Sequence, residues 1–186
     1  MSMTRFTLIV ALIAAIGLLL PQIAPNPYLF YAGFIVLQYV VIATGWNILG
    51  GYAGYINFGT SGFFGGGAYL ATFMIKAFDA PLIVQIFAAM VLGCVLGLAL
   101  GYLTLRIQGI YFAIATIALV VVLETAVHNI SYLGGAAGVA VVPQPVHAWF
   151  KGNTQYVFCM MLILACASIV VARWIETSWV GRGLRA

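Results

Sequence analysis

Glu124 and His128 stand four residues apart in the otherwise apolar run "VVVLETAVHN", residues 120–129. On a helix that spacing puts both on one face, close enough to hydrogen-bond. Three roles are open to such a pair in an apolar run: a structural contact, a polar foothold on a solute path, or acid–base catalysis. Catalysis needs a nucleophile or a second carboxylate, and the sequence supplies neither an activated Ser or Cys motif nor another acid nearby. His128 falls towards the end of the run, where interfacial water could satisfy it.

A second polar set is neutral. The stretch "GWNILGGYAGYINFGTSGFFGGGAYLATF", residues 45–73, carries no charge but holds Asn47, Asn57, Thr60 and Ser61 among many glycines. Glycine weakens a helix by about 1 kcal/mol relative to alanine. Irregular backbone at membrane depth is tolerated only where protein buries it or it lines a cavity. Broken helices of transporters use that freedom to offer N–H and C=O groups to a polar solute. Asn47, Gly54, Asn57, Gly59, Thr60, Ser61 and Glu124 are therefore the candidate path residues, and leucine at Gly59 is expected to abolish uptake without harming assembly. The competing reading is a tight turn, glycine-rich for packing alone.

The elements around these residues follow from composition. Of 186 residues, 65% are hydrophobic and only 5% charged, and the mean hydropathy is +1.17. A soluble domain carries about 25% charged residues, so the chain belongs in a bilayer as an all-α, polytopic helix bundle. Period-two alternation, the mark of a membrane barrel, is absent. Six apolar blocks approach the ~20 residues of a spanning helix: 6–23, 28–49, 62–78, 82–105, 110–129 and 156–174. Together they form a single transmembrane domain over residues 1–186. The first block follows Arg5 as a signal peptide would, but no good small-x-small cleavage site follows it, so it reads as a retained helix.

With the N-terminus cytoplasmic, Arg5, Arg106, Arg173, Arg182 and Arg185 lie inside, and Lys76 and Lys151 outside. That division obeys the positive-inside rule, and the inverse orientation breaks it. The basic residues are scattered, so the net charge of +4 describes topology, not a nucleic-acid surface. Cys94, Cys159 and Cys166 read as small packing residues, and no Cys/His spacing suggests a metal. Gly93, Gly97 and Gly101 form a stripe expected to admit a neighbouring helix. No phosphate-binding G-x-x-x-x-G-K-[ST] loop is present, and no cofactor is expected.

"GYAGYINFGTSGFFGGGAY", residues 51–69, resembles the signature of the permease subunits of branched-chain amino-acid ABC importers, particularly the LivM type. Gly51, Tyr52, Ala53, Gly54, Gly59, Phe63, Gly65, Gly67, Ala68 and Tyr69 fit that run. Asn57 stands where the family usually has serine, and Thr60 where histidine is common. "LRIQGIYFAIATIAL" followed by Glu124, the Gly134, Gly135, Gly138 and Pro143 pattern of "LGGAAGVAVVPQP", and "SWVGRGLRA" resemble further family segments in the same order.

The resemblance implies a subunit of the bacterial inner membrane that forms the path for hydrophobic amino acids. Its implied partners are cytoplasmic ABC ATPase subunits, a second homologous permease subunit in a heterodimer, and a periplasmic solute-binding protein. ATP hydrolysis would then belong to other chains. It further implies that Ser178, Gly181, Arg182, Leu184 and Arg185 dock on the ATPase, with Trp179 and Leu184 as apolar anchors. Because family members continue past this loop, the chain is expected to be an N-terminal portion of a permease. The near absence of charge suits zwitterions with apolar side chains, and suits urea or short amides equally. An intramembrane enzyme is disfavoured by the missing nucleophile. A channel is disfavoured because neither a carbonyl filter motif nor a ring of acids appears.

Overall fold

The computed structural model describes residues 3–23, 26–104, 109–130, 132, 134–135, 138 and 152–184. Among them the regular elements are all helical: α1 (Met3–Ile23), α2 (Pro27–Asn47) with a π turn (Ile48–Tyr52), α3 (Thr60–Phe78), α4 (Leu82–Thr104), α5 (Ile110–Asn129), α6 (Asn153–Thr177) and the short α7 (Trp179–Leu184). Five segments, in α1, α2 with its π turn, α4, α5 and α6, are long and apolar enough to cross a membrane. The other block expected to span is helical too, as the 19-residue α3. It falls short of the others in apolarity because Gly62, Gly65, Gly66, Gly67 and Lys76 dilute it. Arg106, Pro143, Pro145, Lys151 and Arg185 lie outside the described residues.

The chain forms two compact units, Met1–Gly54 with Pro143–Ala186, and Tyr55–Val142. In the first, α6 packs against both α2 and α1. Asn26 starts α2 by accepting the Tyr28 N–H at 3.0 Å, with Pro27 pre-setting the first turn. Phe30 and Phe158 meet edge-to-face, centroids 5.4 Å apart, and Cys159 is buried beside them. Gly33 makes this contact possible, because a Cβ there would stand 2.7 Å from Phe158 Cε2. Small residues set helix contacts in lipid, where close packing replaces the hydrophobic drive. Phe158→Ala should lower the melting temperature of the purified protein. The cost should fall below the ~3–5 kcal/mol of a soluble core, because lipid, not water, is the solvent that the exposed ring would meet.

In the second unit α3 is the centre, packed on α4 and α5. Before it, Gly54 takes φ +71°, a conformation glycine reaches at little cost, and the chain continues without regular structure to Gly59. This segment is fastened to α5. The rings of Tyr55 and Phe112 lie 5.0 Å apart, and the Phe58 N–H donates to Thr116 Oγ1 at 3.1 Å. At the far end of α3, Lys76 suits the negative end of the helix dipole. It donates to the Tyr132 carbonyl at 3.2 Å and lies over the Tyr132 ring. Asp79 closes the helix in the left-handed conformation, φ 46°. Gln85, 5% exposed, ties the turn to α4 by donating to the Ala80 carbonyl at 2.7 Å.

Candidate solute groove and coupling segment

The glycines of α3 divide their work by face. Gly62 admits α5: a Cβ there would lie 3.2 Å from Val120 Cγ2 and 3.4 Å from Val120 Cα. Gly66 and Gly67 admit α4, with Leu92 and Leu96 3.7 Å from the one and Ala89 3.8 Å from the other. Gly65 would meet nothing within 4 Å, and it opens into a groove. That groove, about 230 Å³, has a floor of Ser61, Gly62, Gly65 and Gly66, and a wall from α5 that includes Leu123, Glu124 and His128. Both linings follow the 3.6-residue helical period.

Glu124 is the fifteenth of the 20 residues of α5, about 7 Å beyond the helix midpoint at 1.5 Å per residue. Its side chain and that of His128 are exposed. No hydrogen bond or ion pair joins the two residues, so proximity on one face does not become a structural pair here. What results is an apolar groove with a carboxylate on its wall. It can hold a small solute by shape along the glycines and orient a positively charged or hydrogen-donating end towards Glu124.

The other candidate path residues have different surroundings. Asn57 accepts the Gly59 N–H at 2.7 Å, a local turn that starts α3. Gly59 is buried, and a Cβ there would stand 3.3 Å from both Cβ and the carbonyl oxygen of Thr116. Leucine at Gly59 would therefore press on the junction with α5, so at this position that substitution does not separate blocked uptake from lost assembly. Thr60 Oγ1 is buried without a hydrogen-bond partner among the described residues. Asn47 belongs to the first unit, where it lines a separate cavity. Of the expected set, Ser61 and Glu124 share the groove. Sequence reasoning missed the part played by Thr116, fully buried, whose hydroxyl also donates to the Ala113 carbonyl at 2.7 Å. A threonine in an apolar helix gives no sign of that.

The stripe on α4 is not part of its contact with α3. At Gly93, Gly97 and Gly101 a Cβ would meet nothing within 4 Å among the described residues. Close approach between α3 and α4 uses the glycines of α3, so the stripe on α4 faces away from that contact.

At the end of α6, Ser178 makes the corner. Its N–H donates to the carbonyls of Trp174 and Ile175 at 3.0 and 3.2 Å, and its hydroxyl accepts the Gly181 N–H at 3.4 Å. α7 then folds back so closely that a Cβ on Gly181 would run into the Ile175 carbonyl oxygen. Gly181 thus permits close approach of α7 to the end of α6. Trp179, 78% exposed, and Arg182, also exposed, are presented outward. Arg185 and the Leu184 side chain lie outside the described residues.

Apolar spanning helices, an interrupted glycine-rich segment, and a groove with a carboxylate that has no partner among the described residues define a polytopic membrane protein of the solute-permease class. The chain matches the family described as branched-chain amino acid transport system / permease component over residues 28–186, and it belongs to that family. It is similar to the high-affinity branched-chain amino acid transport system permease protein LivM of Escherichia coli (strain K12), 26% identical over 112 residues. That stretch covers 60% of this chain and 26% of the relative's length. No solved structure matches.

Proposed function

We propose that this chain contributes the translocation path of an ATP-driven importer for aliphatic amino acids in the bacterial inner membrane. Cytoplasmic ATPases, a second homologous permease subunit and a periplasmic binding protein would complete it. The observation that carries this reading is Glu124, without a partner among the described residues, on a membrane-spanning helix and facing a glycine-floored groove. An intramembrane carboxylate is costly to keep without use. Here it would accept the α-ammonium of the solute, while the glycine floor and Leu123 take the aliphatic side chain. Release stays possible because no fixed cation in the groove traps the carboxylate end.

The test is transport in vesicles that hold this chain with its ATPases and binding protein. Glu124→Gln should raise KM for leucine at least tenfold, the cost of one charge-assisted hydrogen bond, and leave uptake of the neutral amide of isocaproic acid nearly unchanged. Equal losses for both solutes would mean that Glu124 serves the fold. Unchanged leucine uptake would remove it from the path.

The proposed orientation has the N-terminus cytoplasmic, which rests on the arginine distribution. Single cysteines at Asn26, Asn153 and Thr177, in a background lacking Cys94, Cys159 and Cys166, report on it, and all three sites are exposed. An impermeant thiol reagent added to intact cells should label the first two and spare the third. Labelling at Thr177→Cys would invert the topology.

A further inference from the structure

We propose that the cavity between α1, α2 and α6 binds the headgroup of a zwitterionic phospholipid bearing a primary ammonium, of the phosphatidylethanolamine type. Its volume is about 670 Å³, within the ~300–1,000 Å³ range of ligand sites. The lining comes from the first turns of α1 (Phe6), the end of α2 (Thr44, Asn47) with Tyr52 of its π turn, and the end of α6 (Arg173, Glu176). These positions lie at helix ends, where a bilayer places its headgroups, and at the end of the unit that also carries Arg5 and Arg182.

Arg173 Nη1 donates to Glu176 Oε2 at 2.6 Å, with the two side chains 29% and 31% exposed. The Phe6 ring lies 5.8 Å from the guanidinium carbon. That ion pair uses one of the five guanidinium N–H groups, and Nε is buried without a hydrogen-bond partner among the described residues. The cavity wall therefore offers a positive and a negative group one helical turn apart, with donor capacity left over. A lone anion would be repelled by Glu176, and a lone cation by Arg173. A ligand carrying both charges can align against the pair, its phosphate oxygens accepting from Arg173 and its ammonium donating to Glu176. A quaternary choline has no N–H to donate, and a glycerol headgroup has no cation.

A free amino acid shares the zwitterionic chemistry, but the surroundings favour lipid. Ile9, Ile13 and Ile16 follow Phe6 along its own side of α1 at 48%, 55% and 56% exposure. Spaced three and four apart, they form an apolar ridge on which an acyl chain can lie. Basic pockets between spanning helices are a common means of holding lipid headgroups; this one adds an acid and so selects a zwitterion.

The test uses the purified chain, delipidated in mild detergent, with thermal stability followed as single lipids are added back. Phosphatidylethanolamine should stabilise it at about tenfold lower concentration than phosphatidylcholine or phosphatidylglycerol of the same acyl chains, as one charge-assisted hydrogen bond predicts. Free leucine should have no effect. Glu176→Gln should erase the preference. Ala43→Phe, on the cavity wall and clear of the ion pair, should erase it too, and it covers the case in which the charge variant fails to fold. Equal stabilisation by the three lipids, stabilisation by leucine instead, or a preference that survives Ala43→Phe would overturn the proposal.

Discussion

Gly65→Leu should abolish the proposed leucine uptake while the protein accumulates in the membrane at normal levels. Gly65 is the one glycine of the α3 cluster 62–67 whose added Cβ would meet nothing within 4 Å among the described residues, so a leucine there starts without a collision and extends into the groove. Gly65→Ala adds a single methyl group and removes a helix-weakening residue, worth about 1 kcal/mol. It should transport and be slightly more stable. Gly62→Ala is the counter-example. Its methyl would press on Val120 and Leu123 of α5, and overpacking of this kind costs roughly 1–3 kcal/mol, so yield should fall before transport can be judged. Normal transport by Gly65→Leu would show that solute passes elsewhere.

If α7 docks on an ATPase, as the proposed importer requires, Gly181→Val should break that contact without removing the chain from the membrane. The obstacle is backbone: beyond the Ile175 oxygen, a Cβ would stand 3.0 Å from the Ile175 carbonyl carbon and 3.1 Å from Glu176 Cα. Neither can swing aside as a side-chain tip would, so α7 must leave its seat and carry Trp179 and Arg182 with it. An exposed tryptophan beside an arginine is the kind of anchor that dominates protein interfaces. Co-purification of the ATPase should therefore be lost in Gly181→Val and retained in Gly183→Ala, where a Cβ would meet nothing within 4 Å. Arg182→Ala should weaken it by itself. Undiminished co-purification by Gly181→Val would remove α7 from the interface.

The helices could be read from the sequence because each needed only a long apolar run, and proline or a turn to bound it. Asn26 and Pro27 start α2, and Pro81 precedes α4. The glycine-rich stretch was harder. Its composition announces that something approaches closely, but only the three-dimensional register shows that Gly62 faces α5, Gly66 faces α4 and Gly65 faces open space. The stripe at Gly93, Gly97 and Gly101 illustrates the same limit, since spacing defines a face without saying which way it turns. The relation of Glu124 to His128 was equally hidden, because sharing a face permits a hydrogen bond without requiring one.

Thr116 has a mechanical consequence. Its hydroxyl receives the Phe58 amide proton and passes its own to Ala113, so the irregular stretch ahead of α3 is pinned to α5 at a point four residues before Val120. Gly62 then locks α3 against that same stretch of α5. In the proposed importer, a displacement of α5 would drag the floor of the groove along with the carboxylate on its wall. The groove would travel at constant width, as a cradle does, and access to the solute would change by moving the cradle, with no need to pry it open.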